Sequence, residues 1–336
     1  VTAGAGNVNV STTGANKAIA LGSVSANGIT VASTGDNSAV STGALTATND
    51  ITVTTNGDAS TITTGNLGGA NINLTSSGTN STITTADITN TGNLQLRGEF
   101  SGLSTGNITN TGGTNILLAA GASGGTSNFD INGNLSISDS AAKYVLIWSN
   151  TGTLFTNPAN TFFAGNHTFH DVSYKFATAQ NFGGDLTANT ITMSLGDGST
   201  LSGNLTSATD ITLRSDNGAQ IINTAGSRTF TADSDTNNTG TFNLANGHLV
   251  TAGSDLTLNA AELTIAATST VDTGAGAVTI KPTTAKAIEV GGASADAAGL
   301  LSVTGAELSR ITAGTVTIGD STKAGGLTLA GNVDMS

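Results

Sequence analysis

The stretch Ile51-Thr52-Val53 decides the fold, because its alternation of aliphatic and polar residues returns at Ile72-Asn73-Leu74 and at Leu94-Gln95-Leu96. The first residues of these runs lie 21 and then 22 residues apart. Successive side chains of a β-strand point to opposite faces, so the aliphatic residues face inward and the central polar residue faces outward. The pattern therefore predicts one short strand that recurs in every repeat.

Two further aliphatic series share this period. One contains Ile62 and Ile83, and the other contains Leu67 and Ile88, with 21 residues between the members of each pair. Three series with one period indicate three short strands per repeat. Helices are not expected, because the runs are short, alternate with a period of 2 and are rich in glycine and β-branched residues.

A three-strand repeat cannot bury its apolar side alone, but stacked repeats bury it against one another. The sequence therefore predicts an all-β fold, a right-handed parallel β-helix (β-solenoid) with three short strands per coil of about 19–22 residues. The right hand is expected because parallel crossover connections are overwhelmingly right-handed.

The regularity of the repeat divides the chain into three parts. Residues 1–139 are predicted to form regular coils, and residues 186–336 to form coils with variable corner loops. In the last part, Ile221 is expected to stack on Leu201 one coil later. Residues 140–185 are expected to form irregular coils or a loop insertion within the same solenoid, and they hold nine of the chain's 13 aromatic residues.

The aromatic stretch has two interpretations. Its rings either fill the core of a locally wider coil or form an exposed binding platform, for example for sugars. The core interpretation is favoured because the segments alternate as strands do. The candidate interaction surface under the platform interpretation consists of Phe155, Phe162, Phe163, His167, Phe169, His170 and Tyr174.

The composition excludes several functions. The 22 acidic and 10 basic residues give a net charge of −12, which disfavours nucleic acid because its binding rests on basic residues. The chain has no cysteine, so it forms neither disulfides nor thiolate metal sites. The longest apolar run, Ala141 to Trp148, is too short to span a membrane, so no transmembrane segment is expected.

Motifs with catalytic associations match weakly. Gly102–Gly106 and Gly121–Gly125 fit a nucleophile-elbow pattern, but an elbow needs a strand-to-helix turn. His167 and His170 would point to opposite faces of a strand, and a catalytic zinc site needs three ligands.

The acidic residues also form no recognisable active-site pattern. Asp233 and Asp235 would share a face of an extended segment, but no acidic cluster repeats in adjacent coils. Solvated corner residues are favoured over a weak calcium site. We expect no catalytic residues, no metal site, no cofactor and no enzymatic activity.

Repeated units resemble those of the filamentous-haemagglutinin-like exoproteins of two-partner secretion and, more loosely, those of large autotransporter adhesins. They include Gly133-Asn134-Leu135-Ser136-Ile137, Asp255-Leu256-Thr257-Leu258 and the stretch from Gly305 to Gly319, GAELSRITAGTVTIG. The resemblance covers most of the chain. It implies a β-helical shaft, an extracellular or bacterial cell-surface location, and roles in adhesion, aggregation or biofilm.

The leading hypothesis is therefore an adhesin shaft whose partners are host or neighbouring cell surfaces, glycans or matrix. A second hypothesis is a fibre or sheath subunit that self-associates end to end, since both Val1-Thr2-Ala3 and Gly331-Asn332-Val333 read as open repeat. A polysaccharide-active β-helix enzyme is the third and least favoured hypothesis.

Overall fold

A computed structural model describes residues 1–99, 102–120, 129–149, 162–215, 221–224, 226–292, 299–323 and 325–331. The chain forms two compact units, Val1–Phe162 and Phe163–Ser336. Their boundary falls inside the aromatic-rich stretch at 140–185. The strands of both units pair in parallel, and three strands recur per coil, so the predicted parallel β-helix is confirmed.

The described residues of unit 1 form three parallel sheets, each built from equivalent strands of successive coils. Sheet 1 holds Asn7–Thr13, Gly28–Thr34, Ile51–Thr55, Ile72–Ser76, Leu94–Gly98, Asn115–Ala120 and Ser140–Ser149. Sheet 2 holds Ala18–Leu21, Ala39–Thr42, Thr61–Thr64, Thr82–Thr85, Gly102–Thr105 and Phe129–Ile131. Sheet 3 holds Val24–Ala26, Leu45–Ala47, Leu67–Gly69, Ile88–Asn90, Ile108–Asn110 and Leu135–Ile137.

Aliphatic ladders form the core of unit 1. Ile72 pairs in register with Ile51 on one side and with Leu94 on the other, and all three are at most 1% exposed. The residues between the inward positions alternate outward, as the period of two predicts. Each inner coil thus buries its apolar side against both of its neighbours.

The corner between sheets 1 and 2 repeats one backbone conformation. Asn16, Asn37, Ala59 and Asn80 occupy it in successive coils with φ of 59°, 53°, 51° and 53°. Asparagine tolerates this left-handed region better than alanine does. In the same corner, a Cβ atom on Gly57 would lie 1.9 Å from a backbone oxygen of the preceding coil, so only glycine fits there.

Unit 2 is also a stack of parallel sheets. Sheet 4 holds the second half of His167–Phe176, then Thr190–Ser194, Ile211–Arg214, Thr241–Leu244 and Glu262–Ile265. Sheet 5 holds the start of His167–Phe176, then Leu186–Ala188, Leu205–Ser207, Arg228–Thr231, Leu256–Asn259, Ala277–Lys281 and Thr315–Ile318. Sheet 6 holds Asn181–Phe182, Ser199–Leu201, Ile221–Thr224, Gly247–Val250, Ser269–Asp272 and Ile311–Thr312. Sheet 7 holds Ala287–Val290, Leu300–Val303 and Leu327–Leu329.

Coil length varies in unit 2. Phe182 pairs with Leu201 after a short coil, whereas Val271 reaches its partner Ile311 only after a much longer excursion of the chain. The expected stacking of Ile221 on Leu201 is wrong, because Leu201 pairs with Thr224. Aliphatic spacing misplaces the register where a corner loop changes length.

Within the described ranges, two short helices interrupt the strands, although no helix was predicted. A 3-10 turn spans Phe162–Ala164, and an α-helix spans Gly305–Leu308. Thr304 and Glu307 form a capping box at the start of the α-helix, which satisfies backbone N–H groups that lack partners inside the helix. The buried Glu307 also accepts a hydrogen bond from the backbone N–H of Ile265, which ties the helix to sheet 4.

Candidate functional site

The predicted aromatic surface is largely buried. The exposed fractions of Phe162, Phe163, Phe169 and Tyr174 are 4%, 8%, 2% and 2%, so these rings cannot form the platform considered from the sequence. Their burial favours the core interpretation. Phe155, which belongs to the same candidate surface, lies outside the described residues.

Aromatic packing fills the interior of unit 2 near its first coils. The ring of Phe163 lies 5.4 Å from that of Tyr174 and 4.7 Å from that of Phe182, and Tyr174 stacks on Phe182 at 5.9 Å. These separations are typical of favourable aromatic pairs. The adjoining cavity of about 20 Å³ has room for roughly one water molecule, which leaves no space for a ligand.

The two histidines of the candidate surface are half-buried on strand His167–Phe176. The ring of His167 stacks on Phe169 at 5.4 Å, and Nδ1 of His170 lies 3.3 Å from a carboxylate oxygen of Asp171. Among the residues that the structure describes, no three His, Cys, Asp or Glu side chains are grouped closely enough to hold a metal ion.

The carboxylates of the acidic loop at Asp233 accept hydrogen bonds from other groups of the protein. Asp233 is fully buried and accepts hydrogen bonds from the backbone N–H groups of Asn237 at 2.8 Å and Asn238 at 3.1 Å. The hydroxyl of Thr283 donates a further hydrogen bond to it, and Asp235 accepts one from the side chain of Asn237 at 2.8 Å. The loop is therefore held by its own hydrogen bonds together with the one from Thr283.

The structure describes only one of the two segments that match the nucleophile-elbow pattern. Gly102–Gly106 begins with the sheet 2 strand Gly102–Thr105, which leads to a corner and then to the sheet 3 strand Ile108–Asn110. It therefore lacks the strand-to-helix turn that a nucleophile elbow requires. Gly121–Gly125 lies outside the described residues.

A groove of about 650 Å³ runs along sheet 1 of unit 1. Two ladders of equivalent residues from successive coils line it. The outer ladder immediately precedes the first inward residue of each strand, and the inner ladder occupies the outward position within each strand. The outer ladder consists of Asp50, Asn71, Asn93, Asn115 and Tyr144, and the inner ladder of Thr52, Asn73, Gln95, Leu117 and Leu146.

Hydrogen bonds between coils orient the outer ladder. Nδ2 of Asn71 donates to the Asp50 carboxylate at 2.9 Å, and Oδ1 of Asn71 accepts from the backbone N–H of Asn93 at 2.7 Å. Oδ1 of Asn93 in turn accepts from the backbone N–H of Asn115 at 3.0 Å. The asparagines thus stand in fixed orientations at the rim of the groove.

Some hydrogen-bonding groups that line the groove have no partner among the described residues. Within the described part of the chain, Nδ2 of Asn93 and the side-chain amide of Gln95 have no hydrogen-bond partner. The groove changes character along its length, because Leu117 and Leu146 replace the polar residues of the inner ladder. At the same end, Tyr144 is 44% exposed.

A buried lysine holds the apolar end of the groove in place. Lys143 is 0% exposed, and its ammonium group donates to Oδ1 of Asn110 at 2.7 Å and to the carbonyl and hydroxyl oxygens of Ser138 at 2.8 and 2.9 Å. Burial lowers the pKa of Lys143, while the nearby Asp139 opposes that shift. Because Lys143 points inward, the adjacent Tyr144 points outward into the groove.

Sequence reasoning identified the outward residues Thr52, Asn73 and Gln95 but not the groove. The sequence signal that could have indicated the groove is the polar residue before each aliphatic run, such as Asn71 and Asn93. In the next run of the sequence, Ile116-Leu117-Leu118, an aliphatic residue breaks the outward polar pattern.

Comparisons with protein-family models, with curated proteins and with solved structures each found no match. No helix among the described residues is both long and apolar enough to cross a membrane.

Proposed function

We propose that the chain is a β-helical segment of an exported surface protein, which supports adhesion through contacts along its side. The observation that carries this proposal is the groove on sheet 1, in which five successive coils present equivalent side chains in register. Such a surface offers a row of contacts from successive coils rather than one reactive centre. The resemblance of the repeats to filamentous-haemagglutinin-like exoproteins supports the same proposal.

The stacked core and the net charge of the chain suit a protein that works outside the cell. Every inner strand of sheet 1 in unit 1 pairs on both sides, and the inward ladder at Ile51, Ile72 and Leu94 is fully buried. The net charge of −12 favours solubility of a protein that carries many exposed strands. Neither property depends on disulfides, since the chain has no cysteine.

An attachment assay tests the proposal. Beads coated with the purified chain should attach to surfaces coated with neutral polysaccharide, with matrix protein or with cultured cells, and free chain should compete. Beads coated with unfolded chain are the matched control. Attachment no greater than that of the control on all three surfaces would refute the adhesive role.

A second candidate is a subunit that joins end to end into fibres. The strand Leu327–Leu329 lies at an edge of sheet 7, and Leu327 and Leu329 are 54% and 70% exposed. An exposed apolar edge strand readily pairs with another chain. Sedimentation velocity should then show assemblies that grow with concentration, and Leu329→Lys should abolish them. A concentration-independent monomer would contradict this candidate.

A further inference from the structure

We propose that the groove on sheet 1 binds a single extended strand of a neutral polysaccharide. This inference rests on the proposed adhesive function and names its ligand class. The groove residues come from five coils, and neighbouring coils stand about 4.8 Å apart, so the two ladders extend over roughly 19 Å. An extended glycan also repeats its hydroxyl groups and ring oxygens at regular intervals, so side chains repeated along the coils can meet groups repeated along the glycan.

The polar end of the groove supplies hydrogen bonds of the kind that sugar hydroxyls need. A side-chain amide both donates and accepts, as a hydroxyl group does. The amide of Gln95 and Nδ2 of Asn93 have no partner among the described residues, and Oδ1 of Asn93 is held by the backbone N–H groups of Thr114 and Asn115 at 3.0 Å. Because the Asn93 side chain is already in place, a ligand would not have to order it.

The other end of the groove offers an aromatic and apolar surface. Tyr144 is 44% exposed, and Leu117 and Leu146 lie beside it in register. A sugar ring has an apolar face of C–H groups, which can pack on a tyrosine ring while its hydroxyls bond to amides. The combination of an apolar wall with a few placed polar groups is typical of sites that bind small molecules.

Charge selects a neutral ligand over an acidic one. Asp50 is the only charged residue that lines the described groove, and no basic residue lines it. An acidic glycan or a nucleic acid would meet this carboxylate and the overall charge of −12. A peptide strand would instead add to a sheet edge, where backbone groups are unpaired, whereas the groove presents side chains.

Calorimetric titration of the full chain with three neutral hexasaccharides tests the proposal. Cellohexaose and N-acetylchitohexaose are extended, and maltohexaose is curved. We expect saturable binding of at least one extended probe and weaker binding of maltohexaose. Gln95→Ala and Asn93→Ala should each weaken binding about fivefold, the size expected for one lost hydrogen bond, and Tyr144→Ala should weaken it about tenfold.

The matched control is Asn9→Ala. Asn9 is an exposed outward residue of the same sheet, but it lies outside the groove. It should leave binding unchanged, and Gln95→Ala, Tyr144→Ala and Asn9→Ala should keep the circular dichroism spectrum and melting temperature of the unmodified chain. Asn93→Ala should keep the spectrum but melt at a lower temperature, because it also loses the hydrogen bonds that Oδ1 accepts from the next coil. Three results would overturn the proposal: no binding of either extended probe at millimolar concentration, equal binding of maltohexaose, or equal losses in Asn9→Ala and the groove variants.

The attachment assay separates this inference from the function on which it rests. Beads that attach to matrix protein or cells but show no hexasaccharide binding would overturn the glycan groove and leave the adhesive function standing. Loss of bead attachment to neutral polysaccharide in Tyr144→Ala and Gln95→Ala, but not in Asn9→Ala, would support both.

Discussion

A carboxylate placed on the inward ladder of sheet 1 should unfold the coils around it. Ile72 is 1% exposed and stacks between Ile51 and Leu94, so Ile72→Asp removes a fully buried aliphatic side chain and leaves a charge in its place. Its matched control is Asn73→Asp, which changes the next residue to aspartate almost without altering its shape. Asn73 points outward, so its new charge stays in contact with water.

The expected magnitude follows from two contributions. The loss of a buried isoleucine costs about 2–5 kcal/mol, as large-to-small core substitutions do. The carboxyl group must also become neutral, and a pKa raised by about three units costs about 4 kcal/mol. The total for Ile72→Asp is thus about 6–9 kcal/mol, which is comparable with the entire stability of many domains. Asn73→Asp should change stability by less than about 0.5 kcal/mol.

Hydrogen exchange followed by mass spectrometry is the assay, together with urea denaturation monitored by circular dichroism. Ile72→Asp should expose the backbone amides of Ile51–Thr55 and Leu94–Gly98, because stability in a solenoid depends on neighbouring repeats. Asn73→Asp should retain the protection of the unmodified chain. Equal effects of the two substitutions would refute the assignment of inward and outward faces.

Three further predictions concern single positions in unit 1. Burial lowers the pKa of Lys143, so the unfolded chain holds this proton more tightly than the folded chain, and stability should rise as the pH increases from the lowered pKa towards about 10.4. Lys143→Met should flatten this rise in melting temperature, and an unchanged rise would contradict the prediction. Gly57→Ala should lower the free energy of unfolding by about 1–3 kcal/mol, because its Cβ would lie 1.9 Å from a backbone oxygen. Its control is Gly68→Ala, whose Cβ would meet nothing within 4 Å, and which should lower the free energy of unfolding much less in the same urea denaturation. Ala59→Asn, at φ of 51°, should raise stability by about 0.5–1 kcal/mol, and a lower urea midpoint would disprove this effect.

The regular coils were predictable because their information is local. The alternation at Ile51-Thr52-Val53 sets the inward and outward faces from adjacent residues, and the constant step of 21 or 22 residues sets the register between Ile51 and Ile72. The register predicted from the spacing was wrong where the length of a corner loop changed. Leu201 has Ile221 at the expected spacing, but its partner is Thr224 because the intervening corner is longer.

The groove was only half visible in the sequence. The outward direction of Asn73 and Gln95 follows from strand alternation, but their alignment with Tyr144 does not. The coil that leads from Ile116 to its partner Val145 is longer than the coils before it, so spacing alone does not place Tyr144 in line with the asparagines. Pairing of the strands brings that ring to the end of the asparagine ladder.

By itself, the sequence determined the all-β class, the three strands per coil and the inward ladders of unit 1. These properties follow from side-chain alternation and a nearly constant period. Only the tertiary structure decided that Phe163, Phe169 and Tyr174 are core residues and that a groove runs along sheet 1. The physical reason is that burial and surface shape depend on which distant strands stack, and coils of variable length leave that pairing open until the chain is folded.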